Sequence, residues 1–182
     1  MAEAPPPSGP RAEPRPVKPI LAGVWWFALS GLGLFFPFYS LYLREAVQLS
    51  GTAVGAVMAT VPATGLVAQP LWGQIADRTG ARVRVLSLIA LGTAVGYAAL
   101  ALPSTLSGFL LGTVLLACFS TALLPTCVSV SLAALPDASP RSFGHVRVMG
   151  TLGFAASVGL LPFVLAALPG PEGSGELLRL RI

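Results

Sequence analysis

Long apolar runs, separated by short polar breaks, organise this chain. Hydropathy marks five of them, over residues 20–43, 52–72, 83–102, 106–134 and 143–168. Each reaches the ~20 residues with which a helix crosses a ~30 Å hydrocarbon layer. The pattern predicts five transmembrane helices in an all-α integral membrane protein. Pro37, Pro62, Pro125 and Pro162 fall inside these runs, where neighbouring helices must satisfy the carbonyls a proline leaves free. Small residues recur four apart at Gly51/Gly55, Gly92/Gly96 and Gly108/Gly112, a spacing that permits close helix crossings.

The flanks read differently. Residues 1–19 hold seven prolines, two glutamates, Arg11, Arg15 and Lys18, and with nothing to bury they predict a disordered tail. A basic start before an apolar run resembles a signal peptide, but the ~24 residues that follow exceed the 7–15 of a signal core, so the run is read as a retained first helix. Residues 169–182 predict a flexible tail. Between the tails, residues 20–168 make up five helices of a bundle.

Composition agrees with this class. The chain is 54% hydrophobic and 10% charged, against about 25% charged in an average soluble domain. The basic residues give orientation. Eight of the eleven Lys and Arg lie in the N-terminal tail (Arg11, Arg15, Lys18), between the second and third runs (Arg78, Arg82, Arg84) and at the start of the fifth (Arg141, Arg147). By the positive-inside tendency these segments face the cytoplasm, which places the N-terminus there. Such scattered cations are no nucleic-acid footprint.

Few residues offer chemistry. Cys118 and Cys127 lie nine apart in one run, roughly 13 Å along a helix, too far for a disulfide, which needs Cα atoms within ~7 Å. They are read as small packing residues. Neither has His or acidic company for a metal, no phosphate loop or nucleophile–base pair is present, and no cofactor is implied. The sequence gives no reason to expect an enzyme.

The most informative polar break is Gly73-Gln74-Ile75-Ala76-Asp77-Arg78-Thr79-Gly80-Ala81-Arg82-Val83-Arg84, which carries four of the chain's eighteen charges. Gly73 has no Cβ and allows a close helix approach. Asp77 can accept hydrogen bonds at the N-terminus of a facing helix, and Arg78, Arg82 and Arg84 can form a charge network with it that breaks and reforms as helices rock. This break resembles the loop-2/3 signature of the major facilitator superfamily. Pro37–Leu43, Ser50–Gly55 and Gln69–Arg78 look like the first two helices of its phenylpropionate-permease-like branch, related to lactose permeases and nucleoside:proton symporters. Phe143–Phe154 resembles the start of helix 5 in the same group.

That resemblance implies a secondary transporter of twelve helices in two six-helix halves, each half a pair of inverted three-helix repeats. The chain would then be the N-terminal portion of such a protein, with Gly73, Asp77, Arg78, Gly80, Arg82 and Arg84 as its gating motif. Arg147 matches the helix-5 arginine that binds sugar in lactose permeases, and an intramembrane cation is a functional expectation in its own right. Relatives often carry an acid on helix 4, whereas here that stretch reads Pro125-Thr126-Cys127-Val128-Ser129-Val130-Ser131-Leu132. Phe38 and Tyr42, four apart and on one face, are candidates to line a cavity. His145 suits proton coupling by its pKa and equally suits interfacial solvation. Arg147 equally suits a topology role.

The expected partners are the lipid bilayer of a bacterial-type cytoplasmic membrane, a small organic solute, protons, and the missing C-terminal half of the transporter, in the same or a separate chain. The expected activity is proton symport by alternating access, with this portion inactive alone. A split-transporter subunit and a non-transporting membrane scaffold or regulator are the alternatives.

Overall fold

The structure is a computed structural model and describes residues 17–135 and 140–167. The expected tail over 169–182 lies outside the described residues, as does all but the end of the tail over 1–19. Residues 17–19 already belong to a helix.

Five helices are described: α1 Val17–Glu45, α2 Gly51–Thr79, α3 Arg82–Ala99, α4 Leu106–Ala134 and α5 Pro140–Ala167. All five are long and apolar enough to cross a membrane. Local chemistry sets their ends. The Ser50 hydroxyl caps α2 by accepting from the Ala53 N–H, and Thr105 caps α4 through Gly108 N–H, each satisfying a donor the first turn leaves open. At the other end of α2, Gly80 takes φ +63° and its N–H returns to the Ala76 carbonyl, a left-handed stop that glycine adopts without steric cost.

Among the expected boundaries, the end of the second helix moves furthest. The second helix does not end at residue 72 but continues through Asp77 and Arg78 to Thr79, because polarity ends the membrane-facing run without ending the hydrogen-bond ladder. Most of the presumed loop is therefore helix, and only Gly80 and Ala81 separate α2 from α3. The third helix ends at Ala99, where Leu100 to Leu102 turn the chain ahead of Pro103.

Packing follows three main pairings: α1 on α5, α2 on α4, and α3 on α4. Two buried clusters hold the bundle. One joins Leu21 and Trp25 of α1, Ala76 of α2, Val85 and Ile89 of α3, Cys127 and Val130 of α4 and Val146 of α5. It brings together the start of α1, the α2–α3 turn and the start of α5, so the cationic segments share one end of the bundle, here called the basic end. The other cluster, built on Phe35, Tyr39, Leu43, Val57, Phe109 and Leu116, fills the opposite end.

The most extensive helix pairing, α1 with α5, is also tight. A Cβ on Gly153 would sit 2.5 Å from the Trp26 carbonyl oxygen, and one on Gly150 would meet Leu29 and the Trp25 carbonyl. Of the three glycine pairs singled out by spacing, only Gly92/Gly96 makes a helix crossing, against Phe119 and Leu116 of α4. Gly55 has nothing near it, and Gly51, Gly108 and Gly112 touch only neighbouring turns of chain.

Buried side-chain polar atoms are all hydrogen-bonded among the described residues. Hydrogen bonds that join helices include Trp25 Nε1 to Ser131 Oγ at 3.0 Å, Tyr39 Oη with Thr113 Oγ1 at 2.7 Å, Trp72 Nε1 to the Cys118 carbonyl at 2.8 Å, and Tyr97 Oη to the Gly31 carbonyl at 3.1 Å. The outside is apolar, with Phe27, Leu66, Leu111 and Phe163 each more than 70% exposed. Against water such a surface would aggregate; against lipid tails it is solvated.

Candidate functional site

The α2–α3 turn presents the charged motif. Asp77 lies in the last turn of α2, and Arg82 opens α3. Their side chains form an ion pair at 3.4 Å, with 73% and 46% of the respective side chains exposed. An exposed pair contributes little stability and breaks easily. Arg78 and Arg84 make no ion pair among the described residues, so the expected four-membered network reduces to one bridge. Gly73 has nothing within 4 Å of its Cβ position among the described residues, so the close approach expected there is to none of the five described helices. A recess of about 760 Å³ surrounds Asp77, Thr79 to Arg84 and the end of α4.

Arg147 sits within the first two turns of α5, exposed and without an ion-pair partner among the described residues. The helix α5 divides into three strips when turned at about 100° per residue. Val146, Gly150, Gly153 and Ser157 form the strip against α1. Arg147 occupies one flank with Gly144, Thr151 and Ala155. His145 lies on the opposite flank, exposed, with Met149, Leu152, Ala156 and Phe163. The Arg147 flank thus joins a cation to small residues and a hydroxyl in its first turns, with Phe154 and Val158 farther along, and the His145 flank is mostly bulky and apolar.

Phe38 is half-buried and Tyr42 exposed near the far end of α1, where the Tyr42 ring approaches Phe109 edge-on at 6.3 Å. α5 lies beside Trp25 to Gly33 of α1, so at ~1.5 Å per residue Tyr42 is more than ~20 Å along the bundle from Arg147. The structure does not bring these residues to one small-molecule contact.

Residues that charge-based reading passed over line the inner clefts. Gln69 borders a 210 Å³ cavity with Leu32, Phe36, Ser120 and Thr121, and a 140 Å³ cleft with Asp77, Arg82, Thr126 and Ser129. Its legible signal is a primary amide in the middle of an apolar helix. No group of residues able to hold a metal ion occurs among the described residues, and both cysteines are free.

Comparison with known proteins decides the ancestry of this arrangement. The profile of the MFS_1 like family matches residues 19–170. The chain belongs to this family of major facilitator transporters. Similar proteins include the maltose permease of Geobacillus stearothermophilus, 34% identical over 78% of this chain and 36% of the relative. The uncharacterized transporter YwbF of Bacillus subtilis is 32% identical over 76% of the chain and 34% of its own length. The lactose permease of Citrobacter freundii is 27% identical over 74% and 34%. The chain therefore spans about a third of the length of these relatives. No solved structure matches it significantly. The bundle is that of an integral membrane protein of the major facilitator family, as its membrane-crossing helices and its relatives agree.

Proposed function

We propose that this chain is the N-terminal part of a secondary active transporter that carries a small organic solute across a cytoplasmic membrane by alternating access, with proton symport. The observation that carries the reading is the α5 flank: an unpaired cation, Arg147, beside Gly144 and Thr151, in a bundle whose relatives include permeases. A guanidinium offers a planar fork of donors to solute hydroxyls or a carboxylate. Two relatives are named for the disaccharides maltose and lactose, so sugars are the first solutes to test. Gln69, Thr121 and Ser129 supply neutral hydrogen-bonding groups along the inner clefts, which suits a hydroxyl-rich solute. The basic end faces the cytoplasm by the positive-inside tendency.

The packing supports a larger assembly. α1 lies on α5 as α4 lies on α2, and α3 covers a flank of α4. The corresponding flank of α1 borders an apolar groove of about 610 Å³, lined by Leu21, Phe27, Gly31, Leu86 and Tyr97 among others. A further membrane helix fits that groove, and the gate formed by Asp77 needs a partner helix beyond this chain. The portion alone is expected to be inactive.

The test is uptake of radiolabelled maltose and lactose by vesicles containing the chain together with the rest of its transporter. Saturable uptake that disappears in Arg147→Ala, at unchanged membrane abundance, supports the proposal. Uptake indifferent to Arg147→Ala reduces the arginine to a topology residue, and full uptake by the 182-residue chain alone would sink the partial-transporter reading.

A further inference from the structure

Arg147 has no ion-pair partner among the described residues, yet the turns on either side of it are held by one residue that is itself tied to α4. Trp25 of α1 is 2% exposed. Its indole N–H donates to Ser131 Oγ of α4 at 3.0 Å, and Ser131 is itself 1% exposed. Its ring meets Phe143 of α5 edge-on, with centroids 5.9 Å apart and planes at 78°. Its carbonyl lies against Gly150, where a Cβ would stand 2.9 Å away. Phe143 and Gly150 bracket Arg147 by one turn on each side, and Val146, 3% exposed, is buried in the same cluster.

We infer that Trp25, locked by Ser131, is a positioning residue that fixes the height and direction of Arg147 on α5. The physical case rests on what each contact restrains. The edge-on ring sets the rotation of α5 about its own axis at Phe143. The Gly150 contact sets how near α5 approaches α1, because a backbone carbonyl cannot swing aside. The hydrogen bond to Ser131 then ties that pair to α4, so the indole cannot rotate away without leaving its N–H unsatisfied in an apolar core. No other described hydrogen bond links α1 to α4 at the basic end; the Tyr39–Thr113 bond is at the opposite end. The inference rests on the reading of Arg147 as a solute contact for its functional meaning, and its geometry stands apart from it.

Pulsed electron paramagnetic resonance tests the geometry without a solute. Cys118 and Cys127 are replaced by Ala, and spin labels are attached at Arg147→Cys and Leu132→Cys, on α5 and α4, in membranes holding the chain. The parent should give one dominant distance. Trp25→Phe, which keeps a ring but loses the N–H, and Ser131→Ala, which loses the acceptor, should each raise a second, displaced population about threefold. That factor corresponds to the ~0.6 kcal/mol typical of an interhelical hydrogen bond in a membrane. The double variant should add little to either single one. A control pair, Leu66→Cys and Leu111→Cys on α2 and α4, should not respond, which separates positioning from general loosening. Unchanged 147–132 distances in both variants overturn the inference, as does an equal response of the control pair. If Arg147→Ala leaves maltose and lactose uptake intact while the distances shift as expected, the solute reading fails and the positioning inference survives.

Discussion

Gly153→Ala should separate α1 from α5, and its cost can be worked from the geometry. An added Cβ at Gly153 would stand 2.5 Å from the Trp26 carbonyl oxygen and 2.8 Å from Ser30 Oγ, whereas ordinary contact begins near 3.4 Å. Relief requires the helices to part by about 0.9 Å, since a carbonyl within a helix cannot turn away. A gap of ~0.5–1 Å forfeits a quarter to a half of the dispersion well for the atoms it separates. Overpacking of this kind costs ~1–3 kcal/mol, offset by the ~0.8–1.0 kcal/mol that Ala gains over Gly inside a helix. The net loss is then up to about 2 kcal/mol. Gly159→Ala on the same helix is the reference, because nothing lies within 4 Å of its Cβ position and only the helix gain remains. Unfolding in mixed micelles titrated with dodecyl sulfate reads both. Gly153→Ala should unfold at lower denaturant than the parent and Gly159→Ala at the same or higher. Equal stability of the two variants would refute the contact geometry.

Three further outcomes follow from single features. Gly80→Ala should destabilise by ~1–2 kcal/mol through its left-handed backbone alone, because no atom lies within 4 Å of its Cβ position; the same unfolding assay reads it, and a neutral result would argue against the φ of +63°. Tyr39→Phe should cost about 0.6 kcal/mol, the interhelical hydrogen bond to Thr113, while the stacking on Phe35 at 4.8 Å persists; a Tyr39→Phe,Thr113→Val cycle with no coupling would remove that bond from the account. Asp77→Asn should leave unfolding unchanged, since the pair is exposed, yet lower solute uptake several-fold in the assembled transporter; a stability loss with intact uptake would reverse that assignment.

The sequence made the spans legible because a bilayer demands uninterrupted apolarity, and α4 matches its expected limits of 106–134. It misjudged α2 because hydropathy reports where lipid ends, while helix ends are set by backbone chemistry such as the left-handed Gly80. Pro140 and Pro19 stand in the first turns of α5 and α1, where a missing N–H costs nothing, so both helices begin earlier than their apolar runs. The charged motif was readable because its residues are contiguous and their spacing survives folding. Among the close-contact glycines, spacing marks Gly92 and Gly96 but not those at the α1–α5 contact. Gly33, Gly150 and Gly153 are defined by the partner helix they meet, and no spacing rule distinguishes them from the open Gly55 and Gly159. Gln69 is legible as part of the helix-2 motif, but without a charge nothing in the sequence marks it as a site residue, although it borders two clefts.

A transporter with Arg147 in its solute path requires one face of α5 to meet water while the other meets lipid. Cysteine accessibility along α5 tests this directly, with single cysteines in the assembled transporter and a membrane-impermeant charged thiol reagent. Reaction at positions 144, 147, 151 and 155, with protection at 149, 152, 156 and 163, is the predicted pattern. Labelling that is equal on both flanks, or confined to the His145 side, would contradict it.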